Sequence, residues 1–227
     1  MTTTLITGAN RGLGKEAARQ LIAAGHDVYI GARDEARGRA TAAELGARFV
    51  QIDVTDDASV AAAFAQIEAD GGLDVLVNNA GIGLLALNGP EALQVFDTNA
   101  VSIVRVTQAA LPLLEKSANP VVVNVSSALG SFAANHDPAR PASQVSAIVY
   151  GASKAAVSML TVQYARAVPE IKFNAVEPGY TATEFGGRSN PQGRPVEISA
   201  RNIVRMAIIG DDGPTGTFQE DDGELAW

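Results

Sequence analysis

Cysteine is absent from the 227 residues, which excludes a disulfide framework, a cysteine-ligated metal and a thiol nucleophile. Lysine is scarce: only Lys15, Lys116, Lys154 and Lys172 occur, in a chain of net charge −8. An acidic chain without Lys/Arg runs repels phosphate backbones, which argues against a nucleic-acid partner. The acids near the end (Asp211, Asp212, Glu220, Asp221, Asp222, Glu224) read as a solvated surface. The two histidines, His26 and His136, have no partners at metal-ligand spacing, so no metal is expected. Long apolar runs are missing too. The best, Leu73–Leu87, is broken by Asn78, Asn79 and glycines and falls short of the ~20 residues a membrane span needs. The opening Met1-Thr2-Thr3-Thr4 has no basic start and no leader-like apolar stretch, so a cytoplasmic protein with no membrane partner is the expectation.

What is present is ordinary for a folded domain: 47% hydrophobic and 19% charged residues. Short apolar runs alternate with longer helical ones. Strands are expected at Thr3–Thr7, Val28–Gly31, Arg48–Val54, Leu73–Asn78, Val121–Ser126, Ile171–Val176 and Gly216–Gln219. Helices are expected at Leu13–Ala24, Glu35–Leu45, Ser59–Ala69, Glu91–Lys116, Ala147–Val168 and Ser199–Ile209, with Pro112 kinking or shortening the fourth. The strand runs are apolar throughout rather than alternating, as when both faces of a parallel sheet are covered. The expected fold is α/β, a doubly wound parallel sheet of Rossmann type, with residues 1–227 forming one domain. Two stretches read as loops, Ala128–Gln144 and Glu184–Glu197, and such loops often serve as lids or binding loops.

Directly after the first strand comes Thr7-Gly8-Ala9-Asn10-Arg11-Gly12-Leu13-Gly14 and then a helix. Glycines permit the tight turn and a close approach of backbone to a pyrophosphate, and the new helix offers free N–H groups and a positive dipole end. Asp53-Val54 ends the third strand, Asn78-Asn79-Ala80-Gly81 ends the fourth, Tyr150-Gly151-Ala152-Ser153-Lys154 lies at the start of the long helix, and Pro178-Gly179 closes the sixth strand. This ordered set resembles the short-chain dehydrogenases/reductases over nearly the whole chain. The resemblance implies an oxidoreductase that moves hydride between nicotinamide and a carbonyl or alcohol carbon. It implies a cofactor held by Gly8, Asn10, Arg11, Gly12, Leu13, Gly14, Arg33, Asp53, Val54, Asn79, Ala80, Gly81, Tyr150, Lys154, Pro178, Gly179, Thr181 and Thr183. It also makes Asn99, Ser127, Tyr150 and Lys154 the catalytic set, with Ser126 the neighbour of Ser127 most easily confused with it.

The choice of cofactor can be argued from the residues. An NAD enzyme usually carries Asp or Glu at the end of the second strand, where it bonds the ribose 2′-hydroxyl. Here Ala32 stands at that place and Arg33 follows, while Arg11 sits in the glycine turn. Two guanidinium groups suit a 2′-phosphate, so NADPH/NADP+ is favoured over NAD. Asp34 pulls the other way if its carboxylate turns inward. Tyr150 and Lys154, four apart on a helix, share a face. An ammonium beside a phenol favours the phenolate and should lower its pKa toward the range where it shuttles protons.

Ser127 and Tyr150 are 23 positions apart, further than in many members of the family. The extra stretch Ser131–Gln144, with His136, Pro138 and Pro141, resembles the insertions of carbonyl reductases. It leaves open whether the chain is a monomer or a homodimer. Residues 182–198 are expected to form a substrate lid, with Phe185 an apolar contact and Gly186-Gly187 a hinge. The reading is an NADPH-dependent, reversible reductase of a small-molecule ketone or aldehyde. Two alternatives remain: a non-catalytic NADP-binding sensor, and an alcohol dehydrogenase or 3-oxoacyl reductase of the same family.

Overall fold

The computed structural model describes residues 1–83, 88–185 and 188–227. The Gly186-Gly187 hinge and the end of the Leu73–Leu87 run lie outside them. In chain order the elements are β1 (Thr3–Thr7), α1 (Gly12–Ala23), β2 (Asp27–Ala32), α2 (Glu35–Leu45), β3 (Arg48–Gln51), α3 (Asp57–Ala69) and β4 (Val75–Asn78). Next are α4 (Gly89–Phe96), a π-helical segment (Asp97–Val101), α5 (Ser102–Leu114) and β5 (Val121–Val125). After these come α6 (Phe132–His136), α7 (Ile148–Ala167), β6 (Lys172–Val176), β7 (Glu184–Phe185), β8 (Arg188–Ser189), α8 (Val196–Ala207), β9 (Thr217–Glu220) and β10 (Gly223–Glu224).

The main sheet runs β10-β9-β6-β5-β4-β1-β2-β3, parallel except for the edge strand β10, which pairs antiparallel with β9. Because successive side chains point to opposite faces, each strand feeds both layers. In β1, Leu5 joins Leu76, Val122 and Phe173 beneath α3, α5 and α7, while Ile6 joins Val77 and Val123 beneath α1 and α8. Burying each such side chain contributes about 1.5–3 kcal/mol, which explains why the strand sequences lack the alternation of a half-exposed sheet. The strand order reverses between β1 and β4, and the crevice beyond their C-terminal ends is where such sheets bind ligands.

Three expectations need correction. Glu91–Lys116 is not one uniform helix: Asp97–Val101 forms a π segment between α4 and α5, and Pro112 lies two residues before α5 ends. Ala128–Gln144 is not a bare loop. It contains 3₁₀ turns at Ala128–Gly130 and Pro141–Gln144 around α6. Ala134 and Ala142 bury against Phe218 and Leu225, Ser131 Oγ donates to the Ala226 carbonyl at 2.6 Å, and Arg140 grips the Glu220 carboxylate at 2.7 and 3.0 Å. Within Glu184–Glu197, β7 and β8 pair and α8 begins at Val196. No described helix is long and apolar enough to cross a membrane.

Candidate active site

The crevice is framed first by the ends of β1 and β4. Thr7 Oγ1 accepts the N–H groups of Asn79 and Ala80 at 3.1 and 3.0 Å, and Asn79 Nδ2 donates back to the carbonyls of Thr7 and Gly8 at 2.8 and 3.3 Å. This reciprocal link fits the glycine turn tightly against the Asn79 segment. A Cβ on Gly14 would stand 2.5 Å from Asn79 Nδ2 and 2.9 Å from the Gly8 carbonyl, so no larger residue fits. Gly8 and Gly12 have φ of +66° and +54°, the left-handed region that favours glycine. The N-terminus of α1 begins after Arg11 with no side-chain cap. Its first amides therefore remain available to an anion, and the dipole adds to the attraction. Asn10 is fixed by its carbonyl, which accepts from Thr41 Oγ1 at 3.1 Å. Leu13 packs partly buried against the core.

Around the adenosine end expected from the sequence, Arg33 is largely exposed and lies 3.9 Å from the Asp53 carboxylate. Burial alone would raise the Asp53 carboxyl; hydrogen bonds from Thr55, then the charges of Arg33 and Arg105, hold it below its ordinary value. Val54 is buried, and its carbonyl accepts from Arg105. Asp34 is engaged locally. Its carboxylate caps α2 at the Arg37 amide, 3.0 Å away, and pairs with the Arg37 guanidinium. Arg11 is exposed at the head of α1.

The chemical groups converge from α7, the π segment and the end of β5. A buried chain runs from Asn78 to Asn124 to Thr161 at 2.9 Å for each link, tying β4 and β5 to α7. Lys154, 4% exposed, points its ammonium at the Val125 carbonyl, 2.7 Å away, and lies 5.7 Å from the centre of the Tyr150 ring. Asn99 is buried: its Oδ1 accepts from the Ile82 amide at 2.8 Å, and its Nδ2 donates to the Ile82 carbonyl and to Ser153 Oγ. The π segment widens the helix here and turns Asn99 toward the crevice, as π-bulges often do at functional sites. A Cβ on Gly81 would fall 3.3 Å from Asn99 Oδ1 and 3.7 Å from Lys154 Nζ, so Gly81 borders both. Ser126 and Ser127 part company. Ser126 is buried and bonds the Lys154 carbonyl and Ser158, whereas the Ser127 hydroxyl faces the Tyr150 phenol.

On the far rim, Thr181 Oγ1 donates to the Gly179 carbonyl at 2.9 Å and shares a hydrogen bond with Ser199 Oγ at 2.7 Å, anchoring the turn after Pro178 to α8. Thr183 returns to the glycine turn: a Cβ on Gly12 would lie 3.5 Å from Thr183 Cγ2. Phe185 meets the Tyr150 ring edge-on at 5.8 Å between centroids. It also fills the space that a Cβ on Gly83 would need, 2.3 Å from the Phe185 ring.

The expected lowering of the Tyr150 phenol by Lys154 is not what these residues produce. Burial first, then the Glu177 charge, push the phenol above its ordinary range, with Ser127 pulling the other way. Burial also takes Lys154 down to about 8, with Glu177 opposing. The ammonium is engaged by the Val125 carbonyl rather than the phenol oxygen, so desolvation dominates. Glu177 was missed from the sequence. Its one visible signal is an acid directly after the buried run Phe173–Val176, at the C-terminal edge of a parallel sheet where ligands bind.

The family model for short chain dehydrogenases matches residues 2–193. The chain belongs to the short-chain dehydrogenase/reductase family. It is 35% identical to short-chain dehydrogenase/reductase ATR10 of Stachybotrys chlorohalonatus, over 95% of this chain and 87% of that protein. It is 32% identical to carbonyl reductase (NADPH) 1 of Sus scrofa, over 98% and 93%. Among solved structures, the NADPH-bound carbonyl reductase from chicken fatty liver aligns with a TM-score of 0.87 at 28% identity, covering 100% of this chain and 99% of that one. This short-chain dehydrogenase/reductase is thus an oxidoreductase, and its relatives include reductases of carbonyl groups.

Proposed function

We propose that the protein reduces a ketone or aldehyde carbonyl to an alcohol with NADPH, reversibly, through Asn99, Ser127, Tyr150 and Lys154. The observation that carries this reading is the convergence of the Tyr150 phenol, the Ser127 hydroxyl, the Lys154 ammonium and Asn99 at the crevice between β1 and β4. NADPH, when bound, supplies the hydride. The residues present fit it: the Gly8–Gly14 turn and the uncapped start of α1 suit the pyrophosphate. Asp53 and Val54 would border the adenine, Asn79, Ala80 and Gly81 the middle of the cofactor, and Pro178, Gly179, Thr181 and Thr183 its nicotinamide end. Arg11 and Arg33 answer a 2′-phosphate, and the engagement of Asp34 at the cap of α2 removes the carboxylate that would oppose one.

Tyr150 donates its proton to the carbonyl oxygen, and the high phenol pKa keeps that proton in place at neutral pH. Ser127 donates a hydrogen bond to the same oxygen, which strengthens as negative charge develops there. Lys154, held by the Val125 carbonyl with its ammonium 5.7 Å from the centre of the Tyr150 ring, supplies a positive charge on that side of the ring as the phenolate forms. Asn99 holds the Ile82 backbone and Ser153 in register with the helix that carries Tyr150. Phe185, edge-on to the Tyr150 ring, supplies an apolar wall at the substrate end. The fungal, plant and animal relatives named as reductases support this class of reaction.

The test is a panel of aldehydes and ketones with NADPH or NADH consumption as the readout, run beside Tyr150→Phe. Removal of the proton donor should lower kcat on the order of 10²–10⁴-fold and leave the NADPH Kd unchanged. Retained turnover in Tyr150→Phe, or a wild-type preference for NADH, contradicts the proposal. NADPH binding with no turnover of any carbonyl would instead favour a cofactor sensor.

A further inference from the structure

Glu177 carries two oxygens that reach two different turns of the cleft. One accepts the N–H of Ala128, the first amide after Ser127, and the other accepts the Gly179 N–H at 2.7 Å. The residue is itself rigidly mounted: its N–H donates to the Gln219 carbonyl at 2.8 Å, and its carbonyl accepts from Asn202 Nδ2 at 3.2 Å. A single carboxylate therefore ties the turn that presents the Ser127 hydroxyl to the turn that follows Pro178. We infer that Glu177 is a positioning residue that locks these two turns together and sets the charge felt by Tyr150 and Lys154, an inference that rests on the reading of the cleft as a carbonyl-reducing site.

Two physical arguments support it. Charge-assisted hydrogen bonds to backbone amides are stronger and more directional than neutral ones, so losing either lets one turn drift, and small misplacements of reacting groups cost large factors in rate. The electrostatics then follow from what faces the carboxylate. From α7 come Tyr150 and Lys154; from β9, Glu220; from the segment before α8, Arg194; and from the stretch after α6, Arg140, which is paired with Glu220. Arg194 is itself paired with Asp221. Burial raises the Glu177 carboxyl, with Glu220 adding, while the Ala128 and Gly179 amides and Arg194 act to lower it. Its negative charge disfavours a Tyr150 phenolate and favours a Lys154 ammonium. The same side chain therefore adds to burial in favouring the protonated phenol and offsets part of the burial that disfavours the charged lysine.

Two substitutions separate geometry from charge. Glu177→Gln is isosteric, but it removes the charge and turns an amide NH₂ toward one backbone N–H. Glu177→Asp keeps the charge and shortens the reach. In the full-length enzyme, Glu177→Gln should lower kcat for the best carbonyl of the panel roughly 10–100-fold, with the KM for NADPH changing about 3-fold or less. Lys154, followed by ¹³Cε NMR in protein labelled at its four lysines, should titrate at lower pH in Glu177→Gln than in wild type. Glu177→Asp should lose kcat while Lys154 titrates near its wild-type position. The lysine titration needs no substrate, so a wild-type enzyme inert toward every carbonyl would sink the functional reading and still leave the Glu177–Lys154 coupling to be judged. A folded Glu177→Gln protein with unchanged kcat, or with an unmoved Lys154 titration, overturns the inference. If the Gln variant does not fold, wild-type kcat in Glu177→Asp overturns it.

Discussion

On the β1–β4 side of the cleft, Thr7 and Asn79 join two strand ends through backbone amides and carbonyls, and the neighbouring glycines leave no room for a side chain. The opposite side, built from residues 128–144 and the chain between β6 and α8, is joined instead by the Arg140–Glu220 and Arg194–Asp221 ion pairs, serine hydroxyls and a small alanine-lined cluster. On the proposed function, the first side is the one that would receive the dinucleotide. On the same reading, the contrast assigns cofactor recognition to main chain and substrate recognition to side chains carried by short elements.

The sharpest way to break that comparison is to fill the tightest point of the rigid side. Gly14→Val adds atoms where even a Cβ would lie 2.5 Å from Asn79 Nδ2 and 2.9 Å from the Gly8 carbonyl. Overpacking of this kind costs about 1–3 kcal/mol of stability. Displacing the turn should also remove backbone bonds to the cofactor phosphates, each worth about 1.5–3 kcal/mol. The expected outcome is an NADPH Kd raised roughly 100-fold, measured by fluorescence titration, with a lower midpoint in urea unfolding. Near-normal NADPH affinity in Gly14→Val would mean that the turn adapts and the two sides do not differ as described.

The same contrast decides what was legible in the sequence. The glycine turn, Tyr150 and Lys154 could be read because backbone constraints and helical spacing leave marks in residue order, while Asn79–Gly81 were picked out only by resemblance to the family. Strand ends were likewise found within a few residues, since buried strands must be apolar. The π segment left no mark: Asp97–Val101 looks like ordinary helix, and its extra residue is set by packing that a periodicity argument cannot see. The small helix Phe132–His136 was hidden for a related reason. Its stability comes from Phe218, Leu225 and the Ala226 carbonyl, some ninety residues away in sequence. Glu177 escaped because its role lies in two backbone amides that only the folded chain brings to it.

A second experiment sharpens the comparison by asking what the chemistry at the seam between the two sides costs. Lys154 is buried, and its ammonium titrates at about 8 instead of the ordinary 10.5. Between those values the unfolded chain binds a proton that the folded chain does not, so stability rises with pH across the window. Below about 8 both states are protonated, and the penalty for the buried ammonium is fully present. Lys154→Met should therefore be more stable than wild type at pH 7, by about 1–3 kcal/mol, and that advantage should shrink as pH approaches 10. Chemical denaturation of the cofactor-free protein at four pH values checks this. A stability gap that stays constant with pH would show that the lysine is not desolvated as its burial implies.

The smallest expected effect tests the side joined by side chains. Arg140 holds both oxygens of Glu220 but remains partly exposed, and solvent screening limits such pairs to about 0.2–1 kcal/mol. Arg140→Ala should lower unfolding stability by no more than that. Its larger consequence should be local. The 3₁₀ turn at Pro141–Gln144 and α6 lose their tether to β9, so the KM for the carbonyl substrate should rise about 2–5-fold, because about 0.5–1 kcal/mol of binding corresponds to that factor. NADPH affinity should stay unchanged, since no bond of the Thr7–Asn79 link passes through this stretch. If steady-state kinetics showed NADPH affinity falling as much as carbonyl affinity, the two sides would be mechanically one, and the division between main-chain and side-chain recognition would fail.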